Sequence, residues 1–256
     1  MSRLVRVELL KLRTVRTTYG LLAAAALLTA FLASIRASKA TPSTLSSVVT
    51  LTGWAMLFAM VMGVIASSGE FRHSTATLTY LAGPRRSRVL AAKAAAAAVV
   101  GAIFGLAGAV VATGIGLAFT SGEPITLSAA TFVRDDLGAV LGAALLAALG
   151  VAVGSLIRSE LAGVVGVLIW SLLIEPLIGG LYPTTEPYLP YTAATTLAGA
   201  KVGVGAGGLH VNVQRGAVAA VAPGPLPFGA VVALLGALVI VVSVIAARSR
   251  LRADIT

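Results

Sequence analysis

The sequence contains no cysteine and few charged residues, and both shortages narrow what the chain can be. Without cysteine there is no disulfide, no thiolate nucleophile and no cysteine-ligated metal. The two histidines, His73 and His210, lie far apart in sequence, so no histidine-based metal or catalytic cluster is expected. Charged residues make up 11% of the chain, against about 25% in an ordinary soluble domain. With 58% hydrophobic residues and a mean hydropathy of +0.99, a soluble fold could not hide the apolar surface.

Long uncharged runs predict an all-α integral membrane protein with six spans in one transmembrane domain, residues 1–256. Each run can hold the roughly 20 apolar residues that a span needs. The fifth run is interrupted by Glu175 and Pro176, which must therefore lie within the helix or at its outer end. We expect spans at residues 18–35, 48–68, 94–118, 137–157, 162–181 and 227–247.

The basic residues predict a multi-pass protein of the cell membrane with both termini in the cytoplasm. Loops rich in lysine and arginine remain on the cytoplasmic side. Of the 19 basic residues, 14 precede span one, follow span six, or join spans two to three and four to five. The first 35 residues also resemble a signal peptide, but their apolar run exceeds the roughly 7–15 residues of such a signal, so we expect them to be retained as span one.

Residues 1–17 predict an amphipathic helix at the membrane surface. One face of the helical wheel carries Leu4, Leu12 and Val15. Glu8 falls within this apolar face, where an unpaired carboxylate would be costly, so we expect a cationic or donor partner. Lys11, three residues further on, is the nearest candidate. The alternative is a plain interfacial anchor in which Glu8 is solvated.

The segment 67–93, between spans two and three, has the sequence SSGEFRHSTATLTYLAGPRRSRVLAAK. Residues 76–81 can form a short helix that Gly83 and Pro84 end. A short helix held between two membrane helices suits docking into a groove of a soluble partner. The alternative is an ordinary basic loop that binds anionic lipid headgroups.

Glu175 is the one acidic residue that the sequence places at membrane depth. Ionisable groups there are costly and usually face a cavity or a partner. Alternatively, Glu175 lies about 20 Å along its helix and reaches solvent at the outer interface. Trp54 and Trp170 join it as candidate cavity or gating residues, although interfacial anchoring also explains tryptophan. The external segment 182–226 is too apolar for a solvated loop, which predicts short re-entrant helices.

The lysines exclude a P-loop of the usual pattern. Such a loop needs Gly-Lys followed by Ser or Thr to hold phosphates. The four lysines instead follow Leu10, Ser38, Ala92 and Ala200. If transport here uses ATP, another polypeptide must hydrolyse it.

Three stretches of the chain carry a resemblance to a known family: ELLKLRTVRTTYGLL from Glu8 to Leu22, GEFRHSTATLTYLAGPRRSRVLAAK from Gly69 to Lys93, and WSLLIEPLIGGLYP followed by YLP within 170–190. Together they resemble the permease subunits of type 2 ABC exporters, particularly the short actinobacterial kind. The first is similar to the family's connecting helix, the second to its coupling segment and the third to the end of span five. Ser74 stands where the family has glycine, which affects the local turn.

The resemblance implies a non-enzymatic membrane subunit that dimerises with a second copy or a related permease. It implies two ABC ATPase partners that bind ATP and Mg, surrounding membrane lipids, and no nucleic acid. ATP-driven closure would switch the membrane pair between two states and move a substrate outward. ATPase contacts are implied for Glu70, Phe71, Arg72, His73, Thr75, Leu78 and Leu81. Glu8 and Lys11 would position the connecting helix, and Arg85, Arg86 and Arg88 would contact either the ATPase or lipid headgroups.

Two other functions compete with this one. A membrane sensor or immunity protein of the same fold would bind a lipid-active compound without transporting it. An intramembrane enzyme would need paired polar groups at membrane depth, where the sequence offers Glu175 alone.

Overall fold

The structure, a computed structural model, describes residues 2–38, 48, 50–72, 86–119, 129–157, 159–200 and 226–253. Within these residues every regular element is a helix, and six helices are long and apolar enough to cross a membrane. The predicted all-helical, multi-pass membrane architecture is thereby confirmed.

In the described part of the chain, two short helices accompany the six spans. Helix α1 precedes the first span, and helix α7, preceded by a 3-10 turn at Glu186–Tyr188, lies between the last two. In chain order the helices are α1 (Ser2–Thr14), α2 (Arg16–Ala37), α3 (Thr52–Arg72), α4 (Arg86–Phe119), α5 (Ala129–Leu156), α6 (Glu160–Leu181), α7 (Pro190–Leu197) and α8 (Phe228–Ala253). Helix α6 contains a π-helical turn at Trp170–Ile174.

Two of the six spans begin well before the position that the charge pattern predicts. Helix α4 starts at Arg86 rather than near residue 94, and α5 starts at Ala129 rather than near residue 137. Charged residues end an apolar run, but lysine and arginine are good helix formers whose aliphatic stems cover apolar surface. Helix α4 therefore continues past its basic positions, and Lys93 lies inside it. In α5 the charged positions are Arg134, Asp135 and Asp136, and tertiary contacts such as the Thr113–Asp136 hydrogen bond accommodate them.

Helices α3 and α5 form the centre of the bundle. Within an apolar stretch of 18 residues in each span, 72% of the residues of α3 and 67% of those of α5 are buried, against 17% in α2, 22% in α6 and 17% in α8. Helix α5 packs against α3, α4 and α8, while α2 and α6 lie at the periphery. The outer helices expose large apolar side chains, among them Leu27, Phe31 and Leu161, an arrangement that is stable in lipid.

Small residues allow the central helices to approach closely. A Cβ atom at Gly101 or Gly105 of α4 would meet the carbonyl oxygens of Ala143 and Ala139 of α5. Helix contact in lipid depends on packing rather than on hydrophobicity, so such glycines bring the backbones together.

Candidate functional site

A buried carboxylate lies at each end of the bundle. We call the end that carries α1 the α1 end and the end that carries α7 the α7 end. Glu8 is 7% exposed at the α1 end, and Glu175 is 1% exposed at the α7 end. Neutralising a buried carboxylate requires either a cation or several hydrogen-bond donors, and the two ends use different solutions.

At the α1 end Glu8 binds two lysines. Lys11 Nζ donates to Oε1 at 3.2 Å, and Lys93 Nζ donates to Oε2 at 3.2 Å. Lys93 Nζ also lies 3.4 Å from the carbonyl oxygen of Ala66, to which it donates. The Lys93 side chain is 5% exposed, whereas that of Lys11 is 44% exposed. The Glu8–Lys93 ion pair therefore joins α1, α3 and α4 at a point shielded from solvent.

The structure confirms the predicted Glu8–Lys11 pair and adds a partner that the sequence did not indicate. Lys93 lies 85 positions from Glu8, so no local spacing connects them. The predicted apolar face of α1 is confirmed for Leu12, which is 8% exposed, but the prediction is wrong for Val15, which is 44% exposed. Helix α1 ends at Thr14 and Val15 has extended backbone angles, so it leaves the helical wheel.

The outer face of α1 combines basic and apolar side chains. The exposed residues of α1 include Arg3, Arg6, Val7, Leu10 and Arg13. The inner face is held to α4 by the buried ion pair and by Leu12. A face of this composition suits anionic headgroups or a soluble partner.

The segment with the predicted ATPase contacts falls mainly outside the described residues. Of the predicted contacts, His73, Thr75, Leu78 and Leu81 lie in the gap at 73–85, as does Arg85. Glu70, Phe71 and Arg72 form the last turn of α3, but their side chains also lie outside the described part. Arg86 begins α4, and Arg88 is exposed in its first turn. The structure thus places both stems of the segment beside the Glu8–Lys93 pair, because Ala66 belongs to α3 and Lys93 to α4.

At the α7 end Glu175 accepts four hydrogen bonds from uncharged donors. Its Oε1 accepts from Trp170 Nε1 at 2.8 Å and from the Tyr191 backbone N–H at 3.0 Å. Its Oε2 accepts from the Thr192 backbone N–H at 2.9 Å and from the Thr192 hydroxyl at 3.1 Å. Of the two alternatives for Glu175, the structure shows the buried one.

The Glu175 carboxylate caps helix α7. Tyr191 and Thr192 lie in the first turn, where backbone N–H groups have no acceptor within their own helix. A carboxylate at this position satisfies these donors and interacts favourably with the positive end of the helix dipole. The π-helical turn directly before Glu175 brings in the Trp170 indole as a further donor.

Tyr191 connects α7 to the first turn of α3. Its hydroxyl donates to the carbonyl oxygen of Gly53 at 2.8 Å, and its side chain is fully buried. Burial raises the pKa of the Tyr191 phenol well above its ordinary value, and the nearby negative charge of Glu175 raises it further. The phenol therefore remains a proton donor.

Helix α7 also approaches α5 closely. A Cβ atom at Gly138 would overlap the carbonyl oxygen of Leu197, and one at Gly142 would come within 3.0 Å of the Ala194 carbonyl oxygen. Gly199, with φ of 80°, follows the helix, and a Cβ there would meet the Asp135 carboxylate. These glycines permit α7 to lie directly on α5.

Trp54, the third candidate cavity residue, lies at the same end but apart from Glu175. It packs against a small apolar cluster that includes Ala33 of α2. Its buried indole N–H has no hydrogen-bond partner among the residues that the structure describes. Trp54 is therefore not part of the group formed by Trp170 and Glu175, which share a hydrogen bond.

No protein-family model and no curated protein matches the chain. The geometry provides two tight polar junctions, one at each end of an apolar bundle. Each junction holds several helices together.

Proposed function

We propose that the chain is the permease subunit of an ATP-driven ABC exporter, which works as a dimer with separate ATPase subunits. The observation that supports this most is the buried Glu8–Lys93 ion pair, which connects the N-terminal helix to both stems of the segment 73–85. A subunit driven by an external ATPase needs such a junction, because a force applied to one segment must move several helices together.

Holding α1 by a buried ion pair costs desolvation free energy, so we infer that the pair does more than stabilise the fold. Desolvating two charges costs several kcal/mol per ion, and a well-packed apolar pair of similar size is often as stable or more so. Buried polar pairs are best attested where they fix the register of packed elements. Here the pair fixes α1 against the start of α4, next to the segment that we propose as the ATPase dock.

The orientation in this proposal follows from the basic residues. The α1 end is cytoplasmic, α1 is an interfacial connecting helix, and the segment 67–93 carries the coupling helix. At the α7 end, α7 is a short external re-entrant helix that Glu175 caps and Gly138 seats on α5. The chain has no enzymatic activity of its own, since ATP and Mg bind to the partner ATPase.

Co-purification with candidate P-loop ATPases tests this function. Coexpression should give a stoichiometric complex of wild type with one ATPase, and a Glu70→Ala, Leu81→Asp double variant should lose it. The control is Thr184→Asp, which alters an exposed residue at the α7 end and should leave the complex intact.

Two outcomes would oppose the proposal. If no ATPase associates while the protein remains a stable oligomer, a sensor or immunity protein becomes the better description. If the double variant keeps the ATPase fully bound, the predicted contact residues are wrong.

A further inference from the structure

We propose that a groove at the α7 end binds an anionic phospholipid of the surrounding leaflet, with its headgroup on Arg134. The groove lies between the first turns of α5 and α8 and has a volume of about 640 Å³. The groove is open to its surroundings rather than enclosed. It is lined by Ala130, Val133, Arg134, Leu137 and Phe228.

The helical spacing of these residues explains why one charge meets an apolar wall. Ala130, Val133, Arg134 and Leu137 are separated by three, four and seven positions, so they share a face of α5. Arg134 lies over the ring of Phe228, 6.0 Å from its centroid, which holds the guanidinium at the groove. The guanidinium donates no hydrogen bond to any residue that the structure describes, and these donors can therefore bind a phosphate.

The two neighbouring carboxylates do not line the groove. Asp136 accepts a hydrogen bond from the Thr113 hydroxyl of α4 at 3.1 Å. Asp135 lies beside Gly199, after the end of α7, and attracts Arg134 electrostatically. No carboxylate lines the groove within the described ranges, so the charge that faces it is positive.

The depth of Arg134 in the membrane favours a lipid over a soluble anion as the ligand of the groove. The span Ala130–Leu156 has 27 residues and is therefore about 40 Å long, close to the thickness of a bilayer with its headgroups. Arg134 is about 6 Å from the start of this span, at headgroup depth. Val133 and Leu137 are 59% and 57% exposed and offer a surface for the upper part of an acyl chain.

Arginine and phosphate match in geometry as well as charge. The guanidinium fork can donate two parallel hydrogen bonds to a phosphate, and its charge persists at all physiological pH values. Zwitterionic lipids also carry a phosphate, but their cationic group offsets the attraction. We therefore expect preference for phosphatidylglycerol over phosphatidylcholine.

Native mass spectrometry of the full chain in detergent tests the site, with dioleoylphosphatidylglycerol and dioleoylphosphatidylcholine as probes. Wild type should retain one phosphatidylglycerol more tightly than any phosphatidylcholine. Arg134→Gln should weaken that binding about tenfold, the effect of losing a charged hydrogen bond, whereas Arg134→Lys should retain part of it. Arg36→Gln removes an exposed charge at the same end, outside the groove, and should change nothing.

A second variant keeps the test decisive if Arg134→Gln folds poorly. Ala130→Trp fills the groove with Arg134 intact and should abolish the tight site. Equal retention of both lipids, or phosphatidylglycerol binding unaffected by either groove variant, would overturn the proposal. Competition by free glycerol 3-phosphate at the lipid's own concentration would also overturn it, because the site would then recognise a soluble anion.

Discussion

The two ends of the bundle bury a carboxylate in opposite ways. At the α1 end Glu8 is neutralised by the lysine charges of Lys11 and Lys93, whereas at the α7 end Glu175 accepts hydrogen bonds from uncharged donors and a helix terminus. The first junction is an ion pair that joins three helices, and the second is a cap whose four donors are uncharged. In the proposed exporter, the first junction would lie at the end driven by the ATPase and the second at the opposite end.

The largest predicted effect breaks the charge junction. Glu8→Leu leaves the desolvated Lys93 without its carboxylate, which should cost about 3–5 kcal/mol of stability. The Glu8→Leu, Lys93→Met double variant should recover most of that loss, because it removes both charges. Thermal unfolding in detergent measures both.

Lys11→Met is the matched control for that pair. The Lys11 side chain is 44% exposed, so its loss should cost only about 0–1 kcal/mol. If Glu8→Leu were as stable as the Glu8→Leu, Lys93→Met double variant, the Lys93 charge would not depend on Glu8 for its stabilisation.

Changing the cap should have a smaller effect. Glu175→Gln replaces one of the two acceptor oxygens by an NH2 group, which cannot accept from the backbone N–H that faces it, that of Tyr191 or that of Thr192. Leaving such a donor unsatisfied should cost about 1–3 kcal/mol and speed hydrogen exchange of those two amides. Trp170→Phe, which removes one of the four donors, should change exchange less. Unchanged exchange in Glu175→Gln would contradict the cap.

The packing of α7 on α5 can be tested with a single methyl group. Gly138→Ala would force the Leu197 carbonyl away, at a cost of about 1–3 kcal/mol. Gly166→Ala in α6 meets nothing within 4 Å and should be neutral, or stabilising by up to about 1 kcal/mol, because alanine favours helix. Equal effects of the two substitutions in thermal unfolding would show that α7 does not lie on α5 as described.

The smallest predicted effect concerns the Tyr191 hydroxyl. Tyr191→Phe leaves the Gly53 carbonyl without its donor and should cost about 0.5–1.5 kcal/mol near neutral pH. Burial raises the pKa of Tyr191, so the phenol ionises in the unfolded chain before it does in the folded protein. The contribution of the hydroxyl to the free energy of unfolding is therefore complete below about pH 10 and falls as the pH rises above that value. The melting-temperature gap between wild type and variant should therefore narrow between pH 8 and pH 10.5. A gap that widens would contradict the buried neutral phenol.

Local patterns in the sequence predict the spans, the Glu8–Lys11 contact of one junction and the Glu175 carboxylate of the other. Apolar runs located all six helices, and the spacing of three between Glu8 and Lys11 indicated their contact. Lys93 and the α7 amides could not be predicted, because they reach their carboxylates only through tertiary packing. The starts of α4 and α5 were placed too late because charged residues interrupt hydropathy but not helix formation. The resemblance supplied the ATPase contacts at 70–81, which stay predictions.

Cysteine labelling in membrane vesicles tests the central claim, since the chain has no cysteine of its own. The variants are Leu81→Cys in the proposed dock and Thr184→Cys at the α7 end, each probed with a membrane-impermeant maleimide with and without the ATPase. We expect Leu81→Cys to react from the cytoplasmic side and to be protected by the ATPase. Thr184→Cys should react from outside whether or not the ATPase is present. Labelling of Leu81→Cys from outside, or labelling that a bound ATPase leaves unchanged, would contradict the account.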